Sequence, residues 1–194
     1  MGTKKEKEET KKEERMELLM LITSFDSSAV SNYETIFKKI EDELTRVKKK
    51  KLGKAMYPKL TLRISSHGGE VDVANAIISH MEQLKRLGVE VNTECCGYGY
   101  SSGLLVFLHG MKRTFIDKEF TFVMWHQCRL GSAGKLDDVD RYLQFVKSNM
   151  WARHEKYFIN NTNVTKEIIE ERTKNNTDWY INYKEAKKYG IVTE

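Results

Sequence analysis

The 194-residue chain is poor in cysteine and proline, and it has no long apolar segment. Its three cysteines, two of them adjacent as Cys95-Cys96, do not make a disulfide framework, because neighbouring residues rarely bridge each other. The single proline and the lack of any apolar run near about 18 residues argue against a membrane span. The first residues are charged and lead into no apolar stretch, so no secretory signal is expected. These absences favour a cytoplasmic protein in a reducing compartment.

Composition predicts one folded domain behind a short charged tail. The hydrophobic fraction is 40%, which is enough for a sizeable core. Residues 1–15 alternate basic and acidic side chains, so we expect a disordered tail there and a single domain over residues 16–194. The net charge of +5 comes mostly from one lysine-rich segment that includes Lys48 to Lys51. We interpret that segment as a solvated loop, and no nucleic-acid partner is expected.

The apolar pattern alternates between strand and helix periods along the chain. The predicted strands cover residues 17–23, 60–64, 89–96, 113–117 and 120–125. Helical spacing follows in residues 30–44, 73–84, 102–108, 136–157 and 166–172, and a last helix ends at Gly190. Strands separated by helices imply crossover connections, so we expect an α/β fold with a mainly parallel sheet.

Two local patterns lead to more specific predictions near the start of the domain. Residues 17–23 are continuously apolar, which is typical of a strand buried on both faces. Ser31 and Glu34 have the spacing of a capping box at the start of the first helix.

The most informative stretch is Cys95-Cys96-Gly97-Tyr98-Gly99-Tyr100-Ser101-Ser102-Gly103, where a predicted strand enters a glycine-rich turn and then a helix. Glycines permit unusual backbone conformations and close approach of another chain. A serine at such a turn can present its hydroxyl outward, beside the free N–H groups of the new helix. Ser101 is therefore a candidate nucleophile, and the alternative is that Ser101 or Ser102 only caps the helix.

Three further positions can complete a serine active site. Acyl transfer requires a base, an acid that orients the base, and N–H donors for the oxyanion. His126 directly follows a predicted strand, Asp178 lies between helices beside aromatic residues, and Gly69 opens a helix after another strand. Because sites in open α/β sheets gather at the carboxyl ends of strands, these residues can meet. Alternatively, His126 is a satisfied edge residue and Asp178 caps a helix.

Four sequence elements together resemble the proteolytic subunit of the Clp protease, ClpP. They follow that family's order and are Ser66-His67-Gly68-Gly69, residues 97–103, Met124-Trp125-His126-Gln127, and Asp178 with residues 185–192. The resemblance covers residues 60–193, and more loosely residues 17–47. It implies a ClpP/crotonase-like fold with a protruding handle helix from Leu136.

The resemblance also implies an activity and an assembly. The activity is serine endopeptidase chemistry on unfolded proteins and peptides, through an acyl-enzyme. Ser101 resembles the nucleophile, His126 the general base and Asp178 its orienting acid, and the backbone N–H groups of Gly69 and Ser102 would form the oxyanion hole. The assembly is a homo-oligomeric chamber of heptameric rings that can stack as a double ring. No metal or other cofactor is expected.

The chain departs from the family pattern at several functional surfaces. His67 and Cys128 replace prolines in the substrate-lining loops, and Thr177 stands where an arginine helps lock the rings together. Thr61 and Arg63 stand where tyrosines receive the hydrophobic loops of the unfoldase. These last two departures argue against docking of a standard Clp-type AAA+ ATPase. A divergent member, such as one encoded by a bacteriophage, fits all of them.

Two other functions stay open at this point. A catalytically silent structural or regulatory subunit would keep the fold and work by co-assembly, and the departures at Thr61, Arg63 and Thr177 motivate it. Crotonase-type acyl-CoA chemistry would share the fold and the oxyanion hole. That chemistry has no need of a Ser-His-Asp set, and the chain lacks obvious nucleotide-binding features.

Overall fold

A six-stranded sheet forms the centre of the molecule, for which a computed structural model describes residues 14–194. The strands are β1 (Glu17–Ile22), β2 (Lys59–Ser66), β3 (Glu90–Tyr100), β4 (Arg113–Phe115), β5 (Phe122–Trp125) and β6 (Trp179–Ile181). Their order is β1-β2-β3-β5-β6, with β4 paired to β3. All pairs are parallel except β5–β6, so the predicted mainly parallel sheet is confirmed.

Seven α-helices accompany this sheet within residues 14–194. They are α1 (Val30–Lys49), α2 (Val71–Arg86), α3 (Ser102–Leu108), α4 (Leu136–Phe145), α5 (Ala152–Asn160), α6 (Lys166–Arg172) and α7 (Tyr183–Lys188). Helices α1 and α2 make the crossovers from β1 to β2 and from β2 to β3, and α3 follows β3 as a fully buried helix. The apolar stripes of α1 and α2 join the core with alternate residues of the strands. No helix in this range combines the length and the apolar composition that crossing a membrane requires.

Strand β1 is covered on only one face. Met20 and Ile22 are buried, but Leu19 is 47% exposed and Leu21 is 60% exposed. The prediction of a strand buried on both faces is therefore wrong. The physical reason is position, because β1 forms the edge of the sheet and no element of the described chain covers its outer face.

The predicted capping box at the start of α1 is also wrong. The N-cap residue of α1 is Ala29, which makes no side-chain cap. A preceding 3₁₀ turn, Ser27–Ala29, is capped instead by Asp26, whose carboxylate accepts the Ala29 N–H at 3.1 Å. Ser31 therefore already lies inside the helix, two residues after the position that caps it.

Strand β3 is longer than predicted and carries two glycines within it. The prediction ended the strand at Cys96, but it continues to Tyr100 because Tyr98, Gly99 and Tyr100 pair with residues 122–124 of β5. The glycine-rich turn is therefore reduced to Ser101 alone. Strand β6 was not predicted, because three residues are too few to show a period.

The long helix predicted over residues 136–157 is confirmed, but it changes type along its length. A π segment, Val146–Trp151, joins α4 to α5. No residue of α4 is buried, and Leu136 is 87% exposed, as expected for a helix that stands off the body of the domain. Insertions of this kind are frequent at functional sites.

Residues 1–13 of the predicted tail lie outside the described residues. Arg15, the last residue assigned to that tail, is attached to the domain. Its Nε donates to the Tyr57 carbonyl at 2.7 Å, and its guanidinium pairs with Glu90 at 3.0 Å.

Candidate active site

Ser101 occupies a sharp turn between β3 and α3. Its backbone angles are φ 54° and ψ −121°, a conformation that residues with side chains rarely adopt. The Ser101 N–H donates to the Met124 carbonyl at 3.0 Å, and the Ser101 carbonyl accepts the Leu105 N–H at 3.2 Å. The turn is thus tied to β5 on one side and to α3 on the other. Strain of this kind is typical of functional sites.

His126 directly follows β5 and reaches the hydroxyl of Ser101. The Nε2 atom of His126 lies 2.7 Å from Ser101 Oγ, within hydrogen-bond distance. Burial lowers the pKa of His126 below its ordinary value, and the charge of Asp178 opposes this effect. An imidazole with a lowered pKa is neutral at pH 7, so its Nε2 can accept the proton of a serine hydroxyl.

Asp178 lies beside His126 through the register of the sheet. The last antiparallel pair of β5 and β6 is Trp125 with Trp179, so the next step of the same register sets His126 opposite Asp178. The charge of Asp178 raises the pKa of His126, so the two side chains are close enough for their charges to interact. No hydrogen bond joins them in the described chain, so the structure brings together Ser101 and His126 more closely than His126 and Asp178.

The turn at Gly68-Gly69 packs directly against the candidate nucleophile. A Cβ atom on Gly68 would lie 2.7 Å from Ser101 Cβ, and one on Gly69 would lie 2.4 Å from the Phe25 carbonyl oxygen. The Ser102 hydroxyl donates to the Gly69 carbonyl at 2.8 Å and links this turn to α3. Within residues 14–194 the backbone N–H groups of Gly69 and Ser102 have no acceptor. Both predicted oxyanion donors are therefore free and belong to adjoining segments.

A cavity of about 190 Å³ opens beside Ser101 and His126. Its walls are mostly apolar, and the apolar side chains are Val71, Leu105, Met124, Trp125 and Trp151. Cys128 and Arg129 also line it, and the charge of Arg129 contributes to the lowered pKa of His126. Such a cavity can hold one apolar side chain next to the reacting serine.

Sequence reasoning missed the part that Trp151 plays in this cavity. Trp151 ends the π segment of the long helix, far along the chain from the other walls. The only signal was a tryptophan next to Met150 in the predicted long helix, and the helical period did not show where its side chain packs. The residues singled out at Cys95 and Cys96 do not line the cavity, and burial raises the pKa of Cys95.

The described part of the chain contains no group of three or more histidine, cysteine, aspartate or glutamate side chains arranged to hold a metal ion. The polar groups of the site are therefore those of a serine, an imidazole, a carboxylate and two backbone amides.

Comparison with known protein families gives a match that covers most of the chain. The family model described as Clp protease matches residues 29–194. That range includes both glycine segments, His126, Asp178 and the long helix, so it contains every element from which the site is built.

Proposed function

This chain belongs to the Clp protease family, and from that premise we propose that it is a serine endopeptidase that cleaves unfolded proteins and peptides. The observation that carries the proposal is the 2.7 Å contact between Ser101 Oγ and His126 Nε2 at a strained strand-to-helix turn. A neutral imidazole in contact with a serine hydroxyl is the arrangement that activates the oxygen as a nucleophile.

The proposed reaction passes through an acyl-enzyme. Ser101 Oγ attacks the carbonyl carbon of the scissile peptide bond while His126 Nε2 takes the hydroxyl proton. His126 then donates that proton to the leaving amine, the C–N bond breaks, and the ester on Ser101 remains. Water, activated by the same imidazole, hydrolyses the ester and restores the free serine.

The other groups stabilise charge during these steps. Asp178 stabilises the imidazolium form of His126, in agreement with its effect on the pKa of that residue. The free N–H groups of Gly69 and Ser102 are proposed to bind the oxyanion of the tetrahedral intermediate. The apolar cavity beside Ser101 is proposed to receive the side chain that precedes the scissile bond, with a preference for residues such as leucine or methionine.

We propose that the active form is a homo-oligomeric chamber of heptameric rings, with the exposed side chains of Leu136 and Tyr142 on α4 in contacts between subunits. We do not propose that a Clp-type AAA+ ATPase docks on this chain. On β2 and β3, Arg63 pairs with Glu94 at 2.8 Å, and a hydrophobic loop would meet this ion pair instead of an aromatic surface.

Labelling with a fluorophosphonate probe tests the proposal. The wild-type protein is compared with Ser101→Ala and His126→Ala, and Ser79→Ala, a surface serine of α2, is the matched control. We expect labelling of the wild type and of the control, and none of the two site variants. Labelling that persists in Ser101→Ala would contradict the proposed nucleophile.

One observation favours an alternative function. The missing hydrogen bond between His126 and Asp178 favours a catalytically silent structural or regulatory subunit. If the folded, assembled wild type is not labelled and cleaves no peptide, this second function replaces the first.

A further inference from the structure

A second cavity, of about 400 Å³, lies between α2 and the region where the π segment passes into α5. It shares no wall residue with the cavity beside Ser101. The polar side chains on its wall are Asn75, Ser79, His109, Asn149, Arg153, His154 and Tyr157. Ile78, Phe145 and Met150 give it an apolar side. The proposed serine chemistry does not use any of these residues.

The polar groups of this cavity have unused hydrogen-bonding capacity. His154 is only 9% exposed, and its ring nitrogens bond to no other residue within 14–194 but keep contact with solvent, since Trp179 Nε1 is the one buried side-chain nitrogen or oxygen without a partner in this range. In the same part of the chain, the exposed guanidinium of Arg153 and the half-buried side-chain amide of Asn149 bond to no other residue. Convergent polar groups with free hydrogen-bonding positions in a partly apolar cavity are characteristic of a ligand site.

His109 adds a fixed acceptor to the wall. Its Nδ1 lies 2.8 Å from a carboxylate oxygen of Glu82, which also pairs with Lys85 at 2.5 Å. Burial lowers the pKa of His109 to about 4, so the ring is neutral at pH 7. A neutral ring that donates Nδ1–H to the carboxylate leaves Nε2 as an acceptor. Stacking on Tyr157, with ring centroids 3.6 Å apart, fixes the plane of the imidazole.

We propose that this cavity binds a small carboxylate that also carries an N–H donor and an apolar side chain, as in an N-acylated amino acid or the C-terminal residue of a peptide. The guanidinium of Arg153 holds the carboxylate, and His109 Nε2 accepts the N–H. The apolar side chain rests on Ile78, Phe145 and Met150. No acidic side chain lines the cavity, and the carboxylate of Glu82 behind His109 is paired with Lys85.

Titration of the full chain with N-acetyl-leucine tests the proposal, followed by NMR of isotope-labelled methionine methyl groups. Met150 reports this cavity, and Met124 reports the cavity beside Ser101. The methyl signal of Met150 is expected to shift and saturate, while that of Met124 stays in place. The same titration of Ser101→Ala is expected to give the same curve, so this result does not depend on the proposed catalysis.

Charge and hydrogen-bond variants make the test specific. Arg153→Gln is expected to weaken binding by about tenfold or more, because a charge-assisted hydrogen bond is lost. Lys156→Gln removes a positive charge from the same helix outside the cavity, and its affinity should equal that of the wild type. The methyl signal of Met81, which is fully buried in the core, reports whether each variant is folded.

Ligand analogues test each recognised group in turn. N-acetyl-leucinamide lacks the negative charge and isocaproate lacks the N–H, so both are expected to bind more weakly than N-acetyl-leucine. A peptide that ends in leucine distinguishes the two sources of this chemistry. If it binds as well as N-acetyl-leucine, the cavity accepts a chain end, and if it does not, the ligand is a free acid.

Three outcomes would overturn the proposal. The Met150 signal could stay unchanged up to roughly 20 mM ligand, which corresponds to no useful affinity. The shift could occur at Met124 instead, which would place the ligand beside Ser101. Arg153→Gln and Lys156→Gln could also bind equally well, which would remove the role of the guanidinium.

Discussion

Replacing Gly68 with alanine tests whether the Gly68-Gly69 turn fixes the backbone around Ser101. The added Cβ would lie 2.7 Å from Ser101 Cβ and 2.9 Å from the Tyr100 carbonyl oxygen, at a φ of +102°. A side chain at such a φ costs about 1–3 kcal/mol, and overpacking adds about 1–3 kcal/mol. One of the two contacts is a backbone oxygen, which cannot rotate away, so the turn at Ser101 must shift.

Gly53→Ala is the matched control for this substitution. Gly53 also has a positive φ, +81°, but a Cβ there would have no atom within 4 Å. The substitution Gly53→Ala therefore costs only the free energy of placing a side chain at a positive φ. The free energy of unfolding of Gly68→Ala should fall below that of Gly53→Ala by about 1–3 kcal/mol, which is the packing contribution.

Two measurements on the same samples test whether the turn fixes the backbone around Ser101. Urea titration gives the free energy of unfolding, and the rate of fluorophosphonate labelling reports the alignment of Ser101 with His126. We expect Gly53→Ala to be labelled at the wild-type rate and Gly68→Ala to be labelled more slowly while it is still folded. Equal stability and equal labelling of the two variants would refute the reasoning.

The remaining predictions concern the base, the acid and the core. Peptidase activity should rise with pH through a midpoint below about 6.5, because burial lowers the pKa of His126 and the base must be unprotonated. A midpoint above this value in the kcat/KM profile would contradict the role of His126 as the base. Asp178→Asn removes the charge that raises that pKa, so the midpoint should move further down and kcat/KM should fall by about 10²–10⁴. Arg113→Met should lower the free energy of unfolding by about 3 kcal/mol or more, since the buried guanidinium donates to four carbonyl oxygens. Arg141→Met, at an exposed position of α4, should change it by less than about 0.5 kcal/mol, and equal losses for the two arginines in urea titrations would exclude this role of Arg113.

Features with strong local signals were predictable from the sequence. Helix α6 has the predicted bounds, residues 166–172, and α2 is followed by Gly88 in the positive-φ conformation expected of a helix stop. The turn at Ser101 and the helix that follows it were also predictable, whereas the end of β3 was not.

Features that depend on distant pairing were not predictable. Gly97 and Gly99 indicate a turn when considered alone, but the ladder with β5 keeps both glycines within β3. The exposed face of β1 depends on what covers the sheet, which apolar composition does not reveal. The π segment moves Trp151 into the cavity beside Ser101, and a helical period alone gives no sign of this insertion.

The register of the sheet explains why the three candidate catalytic residues lie near one another. Ser101 follows β3, His126 follows β5 and Asp178 precedes the antiparallel β6, so all three leave the same edge of the sheet. Residues opposite each other in an antiparallel ladder have Cα atoms about 4.5–5.5 Å apart. If that spacing continues one step beyond the pair of Trp125 and Trp179, rotation of side chains is enough to join Asp178 to His126.

The contact between Ser101 and His126 should therefore exist before subunits assemble. Fluorophosphonate labelling per chain should be unchanged on dilution below the concentration at which the proposed oligomer dissociates, as followed by light scattering. The sheet pairs that hold Ser101 and His126 lie within one chain and lose nothing on dissociation. If labelling disappears together with the oligomer, the subunit contacts align the serine and the imidazole, and the register of the sheet only brings them near each other.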